Sequence, residues 1–171
     1  MVYTVPAAQI VGQQALTVTG LLQLVSGTNP PPNVPFPTLG SPPGAVTNLG
    51  PGQGVTIQAG LAPEVVRSFG LITCASVCYV TTASTTGYVY HANAGAIPNG
   101  SFNAAMAAIG AAGPPYNAVY VAYAHQNATD QGYQQTLGDL VNWGVPTNNI
   151  VEIEWLFLPQ FGMNNLLQLG Y

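Results

Sequence analysis

His91 lies 17 positions after Cys74, and the stretch around them, GLITCASVCYVTTASTTGYVYHANAG, reads as two strands joined by a polar turn. A thiol and an imidazole brought together by a hairpin are the minimum equipment for nucleophilic catalysis. The imidazole draws the proton from the sulfur, and the thiolate is the species that attacks. With two cysteines, two histidines and one basic side chain, the chain offers few other places for chemistry. A third group must fix the orientation of the ring. Ser68, six positions before Cys74, would share its face in a continuous strand. Its hydroxyl, set against the imidazole nitrogen turned away from sulfur, would select the tautomer.

The remaining candidates read as structural. Four residues of strand separate Cys74 from Cys78 by about 13 Å, well beyond the roughly 7 Å that bridged Cα atoms allow. Two free thiols are therefore expected, with Cys78 in the core. His125 stands at a strand end as a loop histidine. Arg67, beside Ser68, either meets a substrate carboxylate or pairs with Glu64. Glu152 and Glu154 fall on the solvated face of one strand, and Asp139 on a helix surface.

Composition narrows the classes of function. Charged residues make up 4% of the 171, against about a quarter in ordinary globular proteins. There is no lysine, and Arg67 is the only basic side chain against five acids, a formal charge of −4. Such a chain cannot neutralise a row of phosphates, which argues against nucleic-acid binding and against polybasic docking to membranes. No apolar run reaches the roughly 18 residues of a spanning helix. The first residues, MVYTVPAAQIVGQQ, lack the basic flank and apolar stretch of a signal peptide. The expectation is a protein secreted or delivered to a host cell by another route, or else a cytoplasmic one.

The elements that must position Cys74 and His91 are mostly strands. Apolar, β-branched runs in residues 1–26 predict one or two strands. Residues 27–54 are rich in Pro and Gly and carry no charge, so they cannot sustain a helix or a central strand. They read as a long surface loop, or as a lid or substrate-facing rim. Strands are expected over 55–59, 87–91, 118–124 and 150–158, with 68–80 either one strand or a strand broken at Cys74, and 62–67 a helical turn or loop. Ser101 caps an Ala-rich helix over 102–112. Thr129 or Asp130 caps a second, in which Tyr133, Leu137, Leu140 and Val141 share a face and Gly144 terminates. A last helical stretch is expected over 163–169. The pattern predicts a single α/β domain over 1–171, a sandwich of mixed β-sheets with outer helices.

Ser68, the run Gly70-Leu71-x-x-Cys74-x-x-Val77-Cys78, and His91 followed by Pro98 resemble the bacterial chemoreceptor glutamine deamidases. Those carry Thr six before a Gly-Leu-Gly-Ser-Cys motif, a Cys-x-x-Val-Cys continuation, and a later histidine with a proline some residues on. The catalytic domain of cytotoxic necrotizing factor and the lethal factor of Burkholderia share the Cys-His arrangement with a Leu-x-x-Cys motif. The similarity spans roughly 68–158, including the order of helix, strand, helix, Gly-Val-Pro and strand after His91. Ile72-Thr73 stand where the family has Gly-Ser, Ser68 stands for its Thr, and the Pro/Gly-rich segment has no counterpart. The resemblance implies a deamidase-like fold, with Cys74 as nucleophile, His91 as general base and Ser68 as the hydroxyl that orients His91. It implies hydrolysis of a glutamine side-chain amide on a protein substrate through a cysteine thioester. No metal and no organic cofactor are implied.

The absence of lysine favours a toxin or effector, because such a chain offers no side-chain amine for ubiquitin attachment in a eukaryotic cytosol. Within the enzymes the alternative is chemoreceptor deamidation. Outside them it is a low-charge binding or surface protein whose strands carry a Cys and a His without activity.

Overall fold

The structure, a computed structural model, describes residues 2–4, 21–25, 34–35, 39, 45–71, 73–80, 85–93, 104, 107, 119–124, 131–147, 150–155 and 160–170. Consecutive residues of the strand Thr86–Ala92 are buried from Gly87 onward. Neighbouring side chains of a strand point to opposite faces, so a strand buried at every position is covered on both. That fact places this strand in the middle layer of the molecule.

The strands are β1 (Val2–Thr4), β2 (Leu21–Val25), β3 (Val34–Pro35), β4 (Val46–Leu49), β5 (Gly54–Gln58), β6 (Val65–Phe69), β7 (Ala75–Val80), β8 (Thr86–Ala92), β9 (Val119–Ala124), β10 (Ile150–Trp155), β11 (Gln160–Asn164) and β12 (Leu169–Gly170). Eight form one mixed sheet in the order β3-β2-β1-β10-β9-β7-β8-β5, and four form a second in the order β12-β11-β6-β4. A helix, α1 (Gln131–Asn142), joins β9 to β10, which pair in parallel. The expected sandwich of mixed sheets agrees with this arrangement at the coarse level; the described residues are mostly β-sheet, and of the expected outer helices α1 is the one described at length.

One face of the larger sheet carries Ala75, Val77, Tyr79, Tyr88, Tyr90 and Ala92, packed with Leu140 and Val145 into a single apolar cluster. The cluster is closed by the end of α1. Val145 N–H donates to the Leu140 carbonyl and Gly144 N–H to that of Val141, the paired bonds of a Schellman cap. The cap folds Val145 back beside Leu140. The other face turns Ser76, Cys78, Val89 and His91 toward the second sheet, whose Val66, Ser68, Phe161 and Met163 are all fully buried.

Four expectations are corrected. Residues 163–169 are a β-hairpin rather than a helix. The Asn164 side chain accepts hydrogen bonds from the backbone N–H groups of Leu166 and Gln168, 3.0 and 2.9 Å, an Asx-type turn that competes with helix. Residues 65–67, expected within a helical turn or loop over 62–67, already belong to β6. The segment 68–80 is two strands in different sheets, since β6 ends at Phe69 and β7 begins at Ala75. The carboxyl end of the Pro/Gly-rich segment forms β4, and residues 34–35 form β3; both are edge strands, the place where proline-rich sequence is tolerated. The helix expected over 102–112 lies outside the described residues except for Ala104 and Ala107, which are helical and exposed.

Gly162 sets the approach of β11 to β6. A Cβ there would overlap the Val66 carbonyl oxygen and lie 2.5 Å from Arg67 Cα, both backbone atoms that cannot step aside. Gly138, on α1, has nothing within 4 Å of such a Cβ. Urea denaturation should show Gly162→Ala destabilised by about 2–3 kcal/mol or more and Gly138→Ala stabilised by roughly 0.5–1 kcal/mol. Equal effects would contradict this packing.

Candidate active site

Three contacts from the end of β4 and the turn that follows it hold His91. The sequence Gly50-Pro51-Gly52-Gln53 joins β4 to β5 through a bond from Gln53 N–H to the Gly50 carbonyl, 3.1 Å. Pro51 supplies the fixed φ of the first central position, and Gly52, at φ 77°, the positive φ of the second, as a type II turn requires. Gly52 N–H donates to the His91 carbonyl at 2.8 Å, and His91 N–H donates to the Gln53 carbonyl at 2.9 Å. The third contact is to the ring. Nδ1 lies 2.8 Å from the carbonyl oxygen of Leu49, the last residue of β4.

A carbonyl oxygen can only accept, so Nδ1 carries the proton. In the neutral ring the lone pair then sits on Nε2. Nε2 is buried and has no hydrogen-bond partner among the described residues. Burial pushes the His91 pKa below its ordinary value, and the bond to Leu49 partly opposes that shift. The result is a neutral imidazole at pH 7 with a bare basic nitrogen shielded from water.

Cys74 is the residue just before β7, where the chain has crossed from the second sheet to the first. The register pairs Ala75 with Ala92 and Ser76 with His91. One step further out, Cys74 faces Asn93, and its Sγ lies 3.6 Å from Asn93 Oδ1. Cys74 and His91 are therefore diagonal neighbours on the same face of two adjacent strands, where Cβ atoms are about 7–8 Å apart or less. Cys74 is 7% exposed and His91 0%, while Asn93 is exposed. The three side chains share one end of the β7–β8 ladder, with the base deepest, the thiol between and the amide at the rim. The resting thiol bonds to Asn93, and no hydrogen bond joins it to Nε2.

Ser68 does not bond to His91. A broken strand carries it into the second sheet, and it crosses the interior to bond Ser76 Oγ at 3.0 Å. Ser76 donates its one proton to the Phe161 carbonyl, 3.1 Å, so Ser68 is the donor to Ser76. The Cys78 thiol is 3.5 Å from the same oxygen, and Ser76 is thereby fully satisfied. The orienting group for the imidazole is the Leu49 carbonyl, and Ser68 bridges the two sheets beside it. Both cysteines are free. Cys78 is fully buried, and desolvation pushes its pKa up to about 12, which leaves it inert as a nucleophile.

Arg67 Nε donates to Asn48 Oδ1 at 2.8 Å. Glu152 is half-buried, and burial raises the pKa of Asp139. His125 is outside the described residues. Among those described, no three His, Cys, Asp or Glu side chains gather as a metal-binding group, and no helix is long and apolar enough to cross a membrane. Neither a protein-family model nor a curated protein matches the chain.

Two contributors escape a reading by residue type, Leu49 through its carbonyl and Ser76 as the inter-sheet hub. The local signal for the first is a short strand, Val46–Leu49, ending in Gly-Pro-Gly, which announces a tight turn. For the second it is parity, since Ser76 shares a strand face with Cys74 and Cys78.

His91 makes stability depend on pH with a definite sign. Its folded pKa lies below the roughly 6.5 of an unfolded histidine, so the unfolded chain takes up the proton first. The contribution is complete above about pH 6.5 and is lost as pH falls through the folded value. As pH falls below about 6.5, the urea midpoint should therefore drop more steeply in the parent than in His91→Asn. Parallel curves would show that His91 is not buried as a neutral ring.

Proposed function

We propose that the protein is a cysteine-dependent glutamine deamidase, with Cys74 as nucleophile and His91 as general base. The observation that carries this reading is the anchoring of Nδ1–H on the Leu49 carbonyl, which leaves Nε2 bare and buried one diagonal step from the thiol. A core histidine kept for packing would gain from pairing both nitrogens, because an unpaired buried polar atom costs about 1–3 kcal/mol. A general base must keep one nitrogen unpaired.

In the reaction, Nε2 takes the thiol proton and Sγ adds to the side-chain carbonyl carbon of glutamine. The tetrahedral adduct carries its charge on oxygen, where the Cys74 backbone amide is the expected donor. Nε2–H protonates the departing nitrogen, the C–N bond breaks and ammonia leaves, giving a thioester. Water, deprotonated by Nε2, adds to the thioester; the C–S bond breaks and glutamate and the thiol are regenerated. No oxidant, reductant or cofactor enters this balance. The narrow exposure of Cys74 suits a slim side-chain amide better than an extended main chain, which supports a protein glutamine over a peptide bond as the group attacked.

The deamidase-like arrangement of Ser68, Cys74 and His91 along the sequence supports the same reading, with Ser68 acting as a structural bridge and Leu49 supplying the orienting group. The lysine-free composition supports a toxin or effector over the chemoreceptor branch. A second reading, a binding or surface protein without activity, is favoured by one observation: the resting thiol bonds to Asn93 and not to Nε2.

Incubation with eukaryotic lysate, followed by mass spectrometry for glutamine-to-glutamate conversion, separates the two. The parent should convert specific glutamines, Cys74→Ser none, and His91→Ala fewer by about 10²–10⁴-fold. Conversion that persists at parental level in Cys74→Ser would overturn the assignment.

A further inference from the structure

We propose that Asn93 is a catalytic residue of this site, its side-chain amide donating a hydrogen bond to the oxyanion that forms when a carbonyl is taken up by Cys74. The proposal rests on the reading of Cys74 as nucleophile. Its basis is placement. Asn93 stands across from Cys74 one step beyond the last register pair of the β7–β8 ladder, Ala75–Ala92, and its amide is hydrogen-bonded to Sγ.

The chemistry of the amide fits the two states of the sulfur. One planar group carries an acceptor, Oδ1, and two donor hydrogens on Nδ2. While the thiol is protonated, S–H donates to Oδ1, as found at 3.6 Å. Once the proton has passed to His91 Nε2, the sulfur becomes an acceptor, and Oδ1 would face its charge unfavourably. Rotation of the amide then turns Nδ2–H toward the sulfur. Asn93 is exposed, so water can take up the amide atom that this rotation turns away from sulfur.

After attack, the charge moves from sulfur to an oxygen one carbon away. A donor already in contact with Sγ needs only side-chain rotation to come within about 2.7–3.1 Å of that oxygen. The depth order completes the argument. His91 lies beneath the thiol and Asn93 at the rim. The departing nitrogen can therefore face Nε2–H while the oxygen faces Nδ2–H, and the two ends of the amide are handled from opposite sides.

The test uses a short acetylated peptide carrying glutamate γ-semialdehyde in place of glutamine. Its aldehyde adds reversibly to a thiol to give a hemithioacetal, which mimics the tetrahedral adduct. Protection of Cys74 from iodoacetamide reads the affinity. Iodoacetamide alone requires the thiol but develops no oxyanion at a reacting carbonyl, so its rate in each variant is the reference. In the parent, Cys74 should be alkylated well before Cys78 and be protected by the aldehyde. In Asn93→Ala, protection relative to that reference should weaken by about tenfold or more, since one oxyanion donor is worth about 10²–10³ in rate. Asn93→Asp should lose protection at least as fully, because it places a negative charge beside the oxyanion. Equal protection in the parent and Asn93→Ala overturns the role of Asn93 and leaves Cys74 as nucleophile. A parent whose Cys74 is neither alkylated first nor protected removes the nucleophile reading, and Asn93 with it.

Discussion

The hydrogen bond from His91 Nδ1–H to the Leu49 carbonyl is the constraint on which the site depends. It is a bond between a side chain of the larger sheet and the backbone of the smaller one, so it exists only when both sheets are formed and packed. It decides which imidazole nitrogen is basic, and burial then keeps that nitrogen neutral and dry. A side-chain orienting group can be lost by one substitution. A backbone carbonyl cannot, and its position is set by the whole β4–β5 turn, with the type II geometry of Gly50-Pro51-Gly52-Gln53 holding the main chain of His91 at the same time.

The sandwich architecture supplies what a single sheet could not. Because β8 is covered on both faces, its even and odd positions are divided between two interiors of different character. The helix side is apolar, built on tyrosines and aliphatic residues. The sheet side admits a few polar groups, and each except Nε2 is bonded: Ser68 to Ser76, Ser76 to Phe161, Cys78 to Ser76. In a region where every other described polar side-chain atom is paired, an unpaired nitrogen stands out as functional, since structural groups are ordinarily satisfied.

Much of this was legible in the chain. The β-branched runs, the alternation of Tyr88 and Tyr90, the Leu137-Leu140 stripe closed by Gly144 and the spacing of Cys74 and His91 each have a local physical cause, and each lies where that cause puts it. What was not legible depended on distant contacts. Ser68 shares a parity with Cys74 only if the strand is continuous, and the chain turns at Gly70, φ 75°, into another sheet. Residues 163–169 carry helix-compatible side chains, but Gly162 must lie against the β6 backbone and Asn164 caps its own turn. Leu49 contributes through its carbonyl, an atom every residue has, so side-chain type gave no sign of it. The proline-rich composition of 27–54 hid two edge strands, β3 and β4.

The central claim is a statement about one proton, and it can be read without substrate. Long-range proton–nitrogen correlation of the histidine rings by NMR, with His125→Gln for assignment, distinguishes the two neutral tautomers at pH 7. The account predicts that His91 carries its proton on Nδ1 and that Nε2 has the shift of an unprotonated, unbonded nitrogen. A ring protonated on Nε2, or an exchanging mixture of both tautomers, would contradict it.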